Sequence, residues 1–110
     1  MFMRVISTGS TKGNCYALQS STGEIVLLDC GCKYKKILRG IDYQINNVSG
    51  VLLSHEHGDH TEAVYEIMNA GITVYTGAET ISNLSIVNGT IKAVAEKKYF
   101  KIGSFSAVPF

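Results

Sequence analysis

All three histidines of this 110-residue chain lie in one short segment, Ser54–His60, which directly follows the apolar run Val51–Leu53. A run of this length is too short for a helix and is typical of a buried strand. The strand has to stop where polar side chains are presented. The sequence therefore predicts that the histidines form a loop at the carboxyl end of a strand.

Short apolar runs separated by turn residues predict most of the remaining elements. Strands are expected at Met3–Ser7, Cys15–Gln19, Ile25–Leu28, Ile72–Tyr75, Tyr99–Ile102 and Phe105–Val108, and Asn88-Gly89 signals a hairpin. Helices are expected at Lys33–Leu38, ended by Gly40, on the stripe Val64, Ile67 and Met68, ended by Gly71, and at Glu79–Leu84. Strands followed by alternating helix and strand predict an α/β fold in which helices cover a sheet.

Composition limits the kinds of partner and compartment. The net charge of +1 gives no strong field toward nucleic acid or acidic membranes, and 45% hydrophobic residues favour a packed globular chain. No apolar run is long enough to span a membrane, and Met1–Ile6 is too short for a signal peptide, so a cytoplasmic protein with no membrane partner is expected. Cys15, Cys30 and Cys32 form no CxxC pair and are expected to be reduced, buried thiols.

The histidine segment carries a set of donors suited to metal ions. In extended backbone the i, i+2 pair His55 and His57 points to one side, so the two imidazoles can share a metal. Asp59 and His60 follow on the turn and can face a second metal, with Gly58 allowing the tight backbone between the pairs. Imidazole and carboxylate ligands suit Zn²⁺, Mn²⁺ or Fe. The alternative is a histidine-rich turn that binds metal only adventitiously or caps a helix.

The same segment resembles a known family signature. Ser54–His60 is similar to the HxHxDH motif of the metallo-β-lactamase superfamily, and Ile25–Gly31 resembles that family's earlier strand ending in Asp-x-Gly. The opening stretch Ser7–Tyr16 further resembles the start of nuclease-like, phosphodiesterase-like members. The resemblance implies the N-terminal half of an αββα sandwich, with a mixed sheet and flanking helices.

By this resemblance, His55 and His57 would bind one metal and Asp59 and His60 a second, with zinc as the expected ion in two sites of a complete domain and Mn²⁺ or Fe as alternatives. Asp59 would also act catalytically by orienting the metal-activated water. Asp29 would steady the histidine loop as a second-shell acceptor.

The chain departs from the family pattern in its number of ligands. Family members add a later His to the first site and a bridging Asp and another His to the second, whereas no histidine follows His60 here. Two ligands per metal leave a catalytic site incomplete, since catalytic zinc typically has three. Phe105–Phe110 also reads as an unfinished strand, so residues 1–110 are expected to be one truncated domain that forms a homo-oligomer or lacks its C-terminal half.

Two functions follow from these observations. The first is a metal-dependent hydrolase of the superfamily, which acts on phosphodiester or nucleic-acid substrates through a metal-activated water. The alternative is a non-catalytic metal-binding or protein-interaction module that retains only the front half of the fold. Gly9–Gly13 lacks the spacing of a phosphate-binding loop, and no histidine outside the cluster is present to complete a nucleophile triad.

Overall fold

The computed structural model describes residues 1–8, 14–53, 63–77, 91–94 and 98–107. These residues form two α-helices, a short 3₁₀ turn at Ile45–Asn47 and two sheets. The strands are β1 (Phe2–Ser7), β2 (Cys15–Gln19), β3 (Ile25–Leu28), β4 (Val48–Leu52), β5 (Val74–Thr76), β6 (Ile91–Ala93), β7 (Phe100–Ile102) and β8 (Phe105–Ala107). The helices are α1 (Tyr34–Gly40) and α2 (Val64–Asn69).

The larger sheet is mixed, with its six strands in the order β1-β2-β3-β4-β5-β6. The first three strands are antiparallel, with Met3 opposite Leu18 and Leu18 opposite Val26. From β3 onward the pairing is parallel, with Leu27 beside Val51 and Val51 beside Val74. Parallel strands are usually covered on both faces, which explains why β3 and β4 carry apolar residues on both sides. The α/β fold with a mixed sheet and flanking helices is as predicted.

Helices cover one face of this sheet. Ile37 of α1 and Val64 and Ile67 of α2 are fully buried against a core that includes Leu27 and Val51. The predicted stripe of α2 is confirmed, because its three members are the buried residues of that helix. Gly71 ends the helix as predicted: its φ of 86° is left-handed and its N–H donates to the carbonyl of Met68.

The role predicted for Gly40 is wrong. It was expected to terminate the first helix, but α1 runs through Gly40 and is capped at Ile41. A Cβ at Gly40 would lie 2.7 Å from Cγ1 of Ile6 on β1. The glycine therefore serves a close approach between helix and sheet, a tertiary requirement that a local pattern does not reveal.

The hairpin β7–β8 packs on the opposite face of the sheet. Ile102 is buried above Gly50 of β4, where a Cβ would lie 2.6 Å from its Cγ2 atom. Phe100 stacks on Tyr75 of β5, with 5.4 Å between the ring centroids. Glu24, just before β3, accepts hydrogen bonds from Ser49 and Ser104 and so ties the hairpin turn to the sheet. The hairpin thus begins a second layer over the middle of the sheet.

Several boundaries differ from the sequence prediction. The strand expected at Val51–Leu53 begins earlier, at Val48, and the one expected at Ile72–Tyr75 is shifted to Val74–Thr76. Strand β6 was not predicted, because its three residues are half-buried or exposed and carry no apolar pattern. The predicted helix 79–84 and the turn at Asn88-Gly89 lie outside the described residues. Neither helix in the described ranges is long and apolar enough to cross a membrane.

Candidate metal centre

The carboxyl ends of β3, β4 and β5 meet at one edge of the sheet, since these three strands run parallel. Strand β3 leads into Asp29, and β4 leads through Leu53 into the histidine segment. The side chains of His55, His57, Asp59 and His60 lie outside the described residues, so the arrangement of these four predicted ligands stays a prediction. The structure describes the residues on either side of this segment, Leu53 at the end of β4 and Ala63 before α2.

The residues that flank 54–62, Leu53 and Ala63, are hydrogen-bonded to this edge of the sheet. On the entry side, the N–H of Leu53 donates to the carbonyl of Tyr75 at 2.9 Å, and its carbonyl accepts from Oγ1 of Thr76 at 2.8 Å. On the exit side, the N–H of Ala63 donates to the carbonyl of Cys30 at 2.9 Å. Leu53 and Ala63 are both buried. The residue before the segment therefore lies beside β5, and the residue after it lies beside Cys30, which follows Asp29.

Asp29 occupies the turn at which β3 ends. Its φ of 63° is left-handed, a conformation that aspartate tolerates better than most residues. Its N–H donates to the carbonyl of Leu52 at 2.7 Å, which extends the pairing with β4 by one residue. The backbone of Asp29 thus lies next to the exit of β4, where the histidine segment begins. The hydrogen bond that the Asp29 carboxylate is expected to accept from the histidine segment stays a prediction.

Three cysteines, Cys15, Cys30 and Cys32, lie in the core near this edge, and all three are buried, as the sequence predicts. Burial raises the pKa of the Cys30 thiol to about 12, with the nearby Asp29 charge adding to the effect. The pKa of Cys15 is raised by its hydrogen bond with Cys32 and by burial. The raised pKa values keep the thiols of Cys15 and Cys30 protonated near pH 7, which favours a packing role for both.

The described ranges bring together no group of three or more His, Cys, Asp or Glu side chains that could hold a metal. The donor set that fits a metal is the one in the histidine segment. Its imidazoles and carboxylate are the ligands that zinc takes in hydrolytic sites, and its place beyond a strand end suits residues that must converge. The contact between Thr76 and the Leu53 carbonyl, at the entry to this segment, could not be predicted from the sequence, because threonine is a common residue in strands.

Comparison with known proteins identifies the family. Residues 8–100 match the sequence profile of the metallo-beta-lactamase superfamily. The chain belongs to this superfamily. The match spans β2 to β6 and includes the histidine segment, so the resemblance of the sequence to the superfamily is confirmed.

Curated relatives of this superfamily member include two phage proteins. The anti-Pycsar protein Apyc1 of Bacillus phage 010DV004 is 28% identical over 72 residues, which cover 61% of this chain and 28% of the relative. The anti-Pycsar protein Apyc1 of Bacillus phage BSP38 is 29% identical over 70 residues, which cover 59% of this chain and 27% of the relative. The chain thus aligns with less than a third of each relative's length.

Solved structures of the superfamily share the fold. The BLEG-1 B3 metallo-beta-lactamase superimposes with a TM-score of 0.75 at 21% identity, over 96% of this chain and 58% of that one. YhfI from Bacillus subtilis, a metallo-beta-lactamase fold protein, gives a TM-score of 0.71 at 21% identity, over 94% and 49%. The chemotaxis sensor ODP, described with a peroxy diiron species, gives 0.77 at 14% identity, over 97% and 48%. This chain spans about half of each of these three solved structures.

Proposed function

We propose that the protein is a metal-dependent hydrolase that acts on phosphodiester substrates. The observation that carries the proposal is the HxHxDH motif in a chain of this superfamily, together with its flanking residues Leu53 and Ala63, which lie at the carboxyl ends of the parallel strands. The phosphodiester assignment is supported by the similarity to the two anti-Pycsar phage proteins and by the opening segment Ser7–Tyr16. Cyclic nucleotides are the first substrates to test.

The proposed roles follow from the chemistry of the side chains. His55 and His57 would hold one zinc ion, and Asp59 and His60 a second, with Mn²⁺ or Fe as alternative ions. A bound divalent metal supplies a water molecule of lowered pKa and a positive charge for a phosphoryl oxygen. The Asp59 carboxylate would orient that water by accepting one of its hydrogen bonds. Asp29, which lies at the neighbouring strand end, would accept a hydrogen bond from the histidine loop and keep it in place.

A substrate panel tests this function. Purified protein, with Zn²⁺ or Mn²⁺ added, is assayed against a 3′,5′-cyclic nucleotide, bis(p-nitrophenyl) phosphate and a chromogenic cephalosporin. We expect metal-dependent turnover of the phosphodiesters that Asp59→Ala removes. The Glu56→Gln variant is the matched control, because Glu56 lies between the ligands and has no assigned role. Turnover of the cephalosporin alone would refute the phosphodiester assignment.

A second candidate is a metal-binding or protein-interaction module without catalysis. It is favoured by one observation: the segment 55–60 contains every histidine of the chain, so each metal has only two ligands from it. Turnover of a phosphodiester would exclude the module, whereas zinc binding without turnover is also what two ligands per metal predict for half of a hydrolase domain. A natural protein that continues past Phe110 with further His and Asp residues would favour the hydrolase.

The partner we propose is additional β structure on the hairpin side of the sheet. Met3 and Val5 of β1 lie on that side and are 56% and 60% exposed, whereas Gly50 and Tyr75 are covered by the hairpin. A second copy of the chain, or a C-terminal half of the domain, would cover the exposed part. Light scattering after size exclusion should report a dimer or larger species for the isolated chain, and a stable 11.9 kDa monomer would contradict self-association.

A further inference from the structure

Thr76 is a polar residue in the buried interior, at the end of β5. Only 2% of its surface is exposed, and its hydroxyl donates to the carbonyl of Leu53 at 2.8 Å. A buried carbonyl without a partner is costly, so this hydrogen bond satisfies Leu53. The hydrogen bond lies directly before the histidine segment, because Leu53 is followed in the sequence by Ser54 and His55.

The bond fixes the direction in which the chain leaves the sheet. The N–H of Leu53 is held by the carbonyl of Tyr75, so both backbone polar groups of Leu53 are bound to β5. Since a peptide unit is planar, holding the Leu53 carbonyl also holds the plane of the peptide bond that leads into Ser54. His55, the first predicted ligand, follows one residue later.

Thr76 itself is held firmly enough to act in this way. Its strand is inside the sheet, paired with β4 on one side and β6 on the other. Its own carbonyl accepts from the N–H of Val94 at 2.9 Å. A β-branched side chain in a strand has few accessible χ1 rotamers, so the hydroxyl keeps its direction toward Leu53.

We propose that Thr76 is a positioning residue for the metal site, whose hydroxyl sets the angle at which His55 and His57 leave β4. The inference rests on the proposed function, because it takes these histidines as metal ligands. Ligands must be held within about 0.5 Å of their binding geometry, and loss of an outer contact typically weakens metal affinity by about 10- to 100-fold. Without the hydroxyl, the Leu53 carbonyl would turn toward another donor and carry the start of the loop with it.

Two matched pairs isolate the hydroxyl. Thr76→Val keeps the shape of threonine and removes the hydroxyl, and Thr76→Ala differs from Thr76→Ser by the hydroxyl alone. Zinc affinity is measured by competition with a chromophoric chelator, the visible spectrum is recorded after Co²⁺ loading, and thermal unfolding is followed without metal. Val74→Ala is the control, because it weakens the core under β5 without touching the Leu53 carbonyl.

We expect zinc affinity to fall by about 10-fold or more in Thr76→Val relative to wild type and in Thr76→Ala relative to Thr76→Ser, with a changed Co²⁺ spectrum in both. Thr76→Ser and Val74→Ala should unfold at lower temperature and bind zinc within about 3-fold of wild type. If Thr76→Val does not fold, the Ser and Ala pair decides. Zinc affinity that follows thermal stability in every variant would overturn the role of Thr76 alone. A wild-type chain that binds no zinc would overturn the proposed metal site and this inference with it.

Discussion

The two ends of the parallel strands β3 and β4 are held by different chemistry. At the amino ends, the solvent-accessible carboxylate of Glu24 accepts hydrogen bonds from Ser49 and from the N–H and hydroxyl of Ser104. At the carboxyl ends, the contacts are buried and neutral, between the Leu53 carbonyl and Thr76 and between the Cys30 carbonyl and Ala63.

The charged contact holds the hairpin turn at the amino ends, and the uncharged contacts hold the backbone on either side of the histidine segment at the carboxyl ends. A charged group in water can clamp a surface hairpin without a large desolvation cost. At the carboxyl ends the hydrogen bonds that hold the backbone are uncharged, so Asp29 is the charged side chain that the described residues place beside the predicted metal ligands. Substitutions at the carboxyl ends are expected to impair metal binding, and substitutions at the amino ends to impair stability.

The largest effect is expected at the carboxyl end. Replacing His57 and Asp59 together by alanine removes one predicted ligand from each metal pair and should abolish zinc or manganese binding in a calorimetric titration. Thermal unfolding of both proteins is measured without metal, so that a loss of metal binding can be separated from a loss of the fold. Binding of unchanged affinity in the double variant would refute the ligand assignment. Glu24→Gln, at the other end, is the control and should bind metal as wild type does.

An intermediate effect is expected from Gly103, in the hairpin turn at the amino end. Its φ of 56° is left-handed, and an added Cβ would collide with the Glu24 carboxylate and lie 2.7 Å from Oγ of Ser49. Gly103→Ala should therefore lower the free energy of unfolding by about 2–4 kcal/mol, the sum of the backbone cost and overpacking.

Gly71→Ala is the matched control for that substitution. Its φ is also left-handed, at 86°, but no atom lies within 4 Å of the added Cβ. It should cost only about 1–2 kcal/mol, the backbone contribution alone. Urea denaturation measures both variants. Equal losses would show that contact with Glu24 contributes nothing.

The smallest effect concerns the charge of Glu24. The hydroxyl of Ser104, the hydroxyl of Ser49 and the N–H of Ser104 lower the pKa of this carboxyl below its ordinary value of 4.5. A lowered pKa in the folded state means that the contribution to stability is present above about pH 4.5 and is lost as the pH falls through the folded value. Glu24→Gln should show a weaker loss of thermal stability between pH 6 and pH 3 than wild type. Ser104→Ala should reduce this difference, and identical acid profiles for wild type and Glu24→Gln would contradict the assignment.

The sequence predicts the elements whose residues are locally patterned. β2 and β3 were predicted at their observed bounds, because a run of apolar or alternating residues is framed by turns on both sides. The start of β4 was missed, since Ser49 and Gly50 interrupt the apolar pattern. Gly50 allows the close approach of Ile102, which is distant in the sequence. Gly40 was misread for the same reason.

The candidate site divides in a similar way. The donor residues are evident from the sequence, because all three histidines fall within one motif. The contacts that hold the ends of that motif are not evident, since Thr76 and Cys30 reach Leu53 and Ala63 only after the strands have paired. The predicted ligand geometry at His55, His57, Asp59 and His60 lies outside the described residues and stays a prediction.

The contact between Glu24 and Ser104 joins residues 80 positions apart. Closing a loop of this size costs more chain entropy than pairing β4 with β5, whose partners Val51 and Val74 are separated by far fewer residues. During synthesis at about 5–20 residues per second, Ser104 emerges only after every strand of the larger sheet has left the ribosome. The sheet can therefore begin to assemble while the surface around Gly50 still lacks Ile102, and we expect the hairpin to close on it after β4 and β5 have paired.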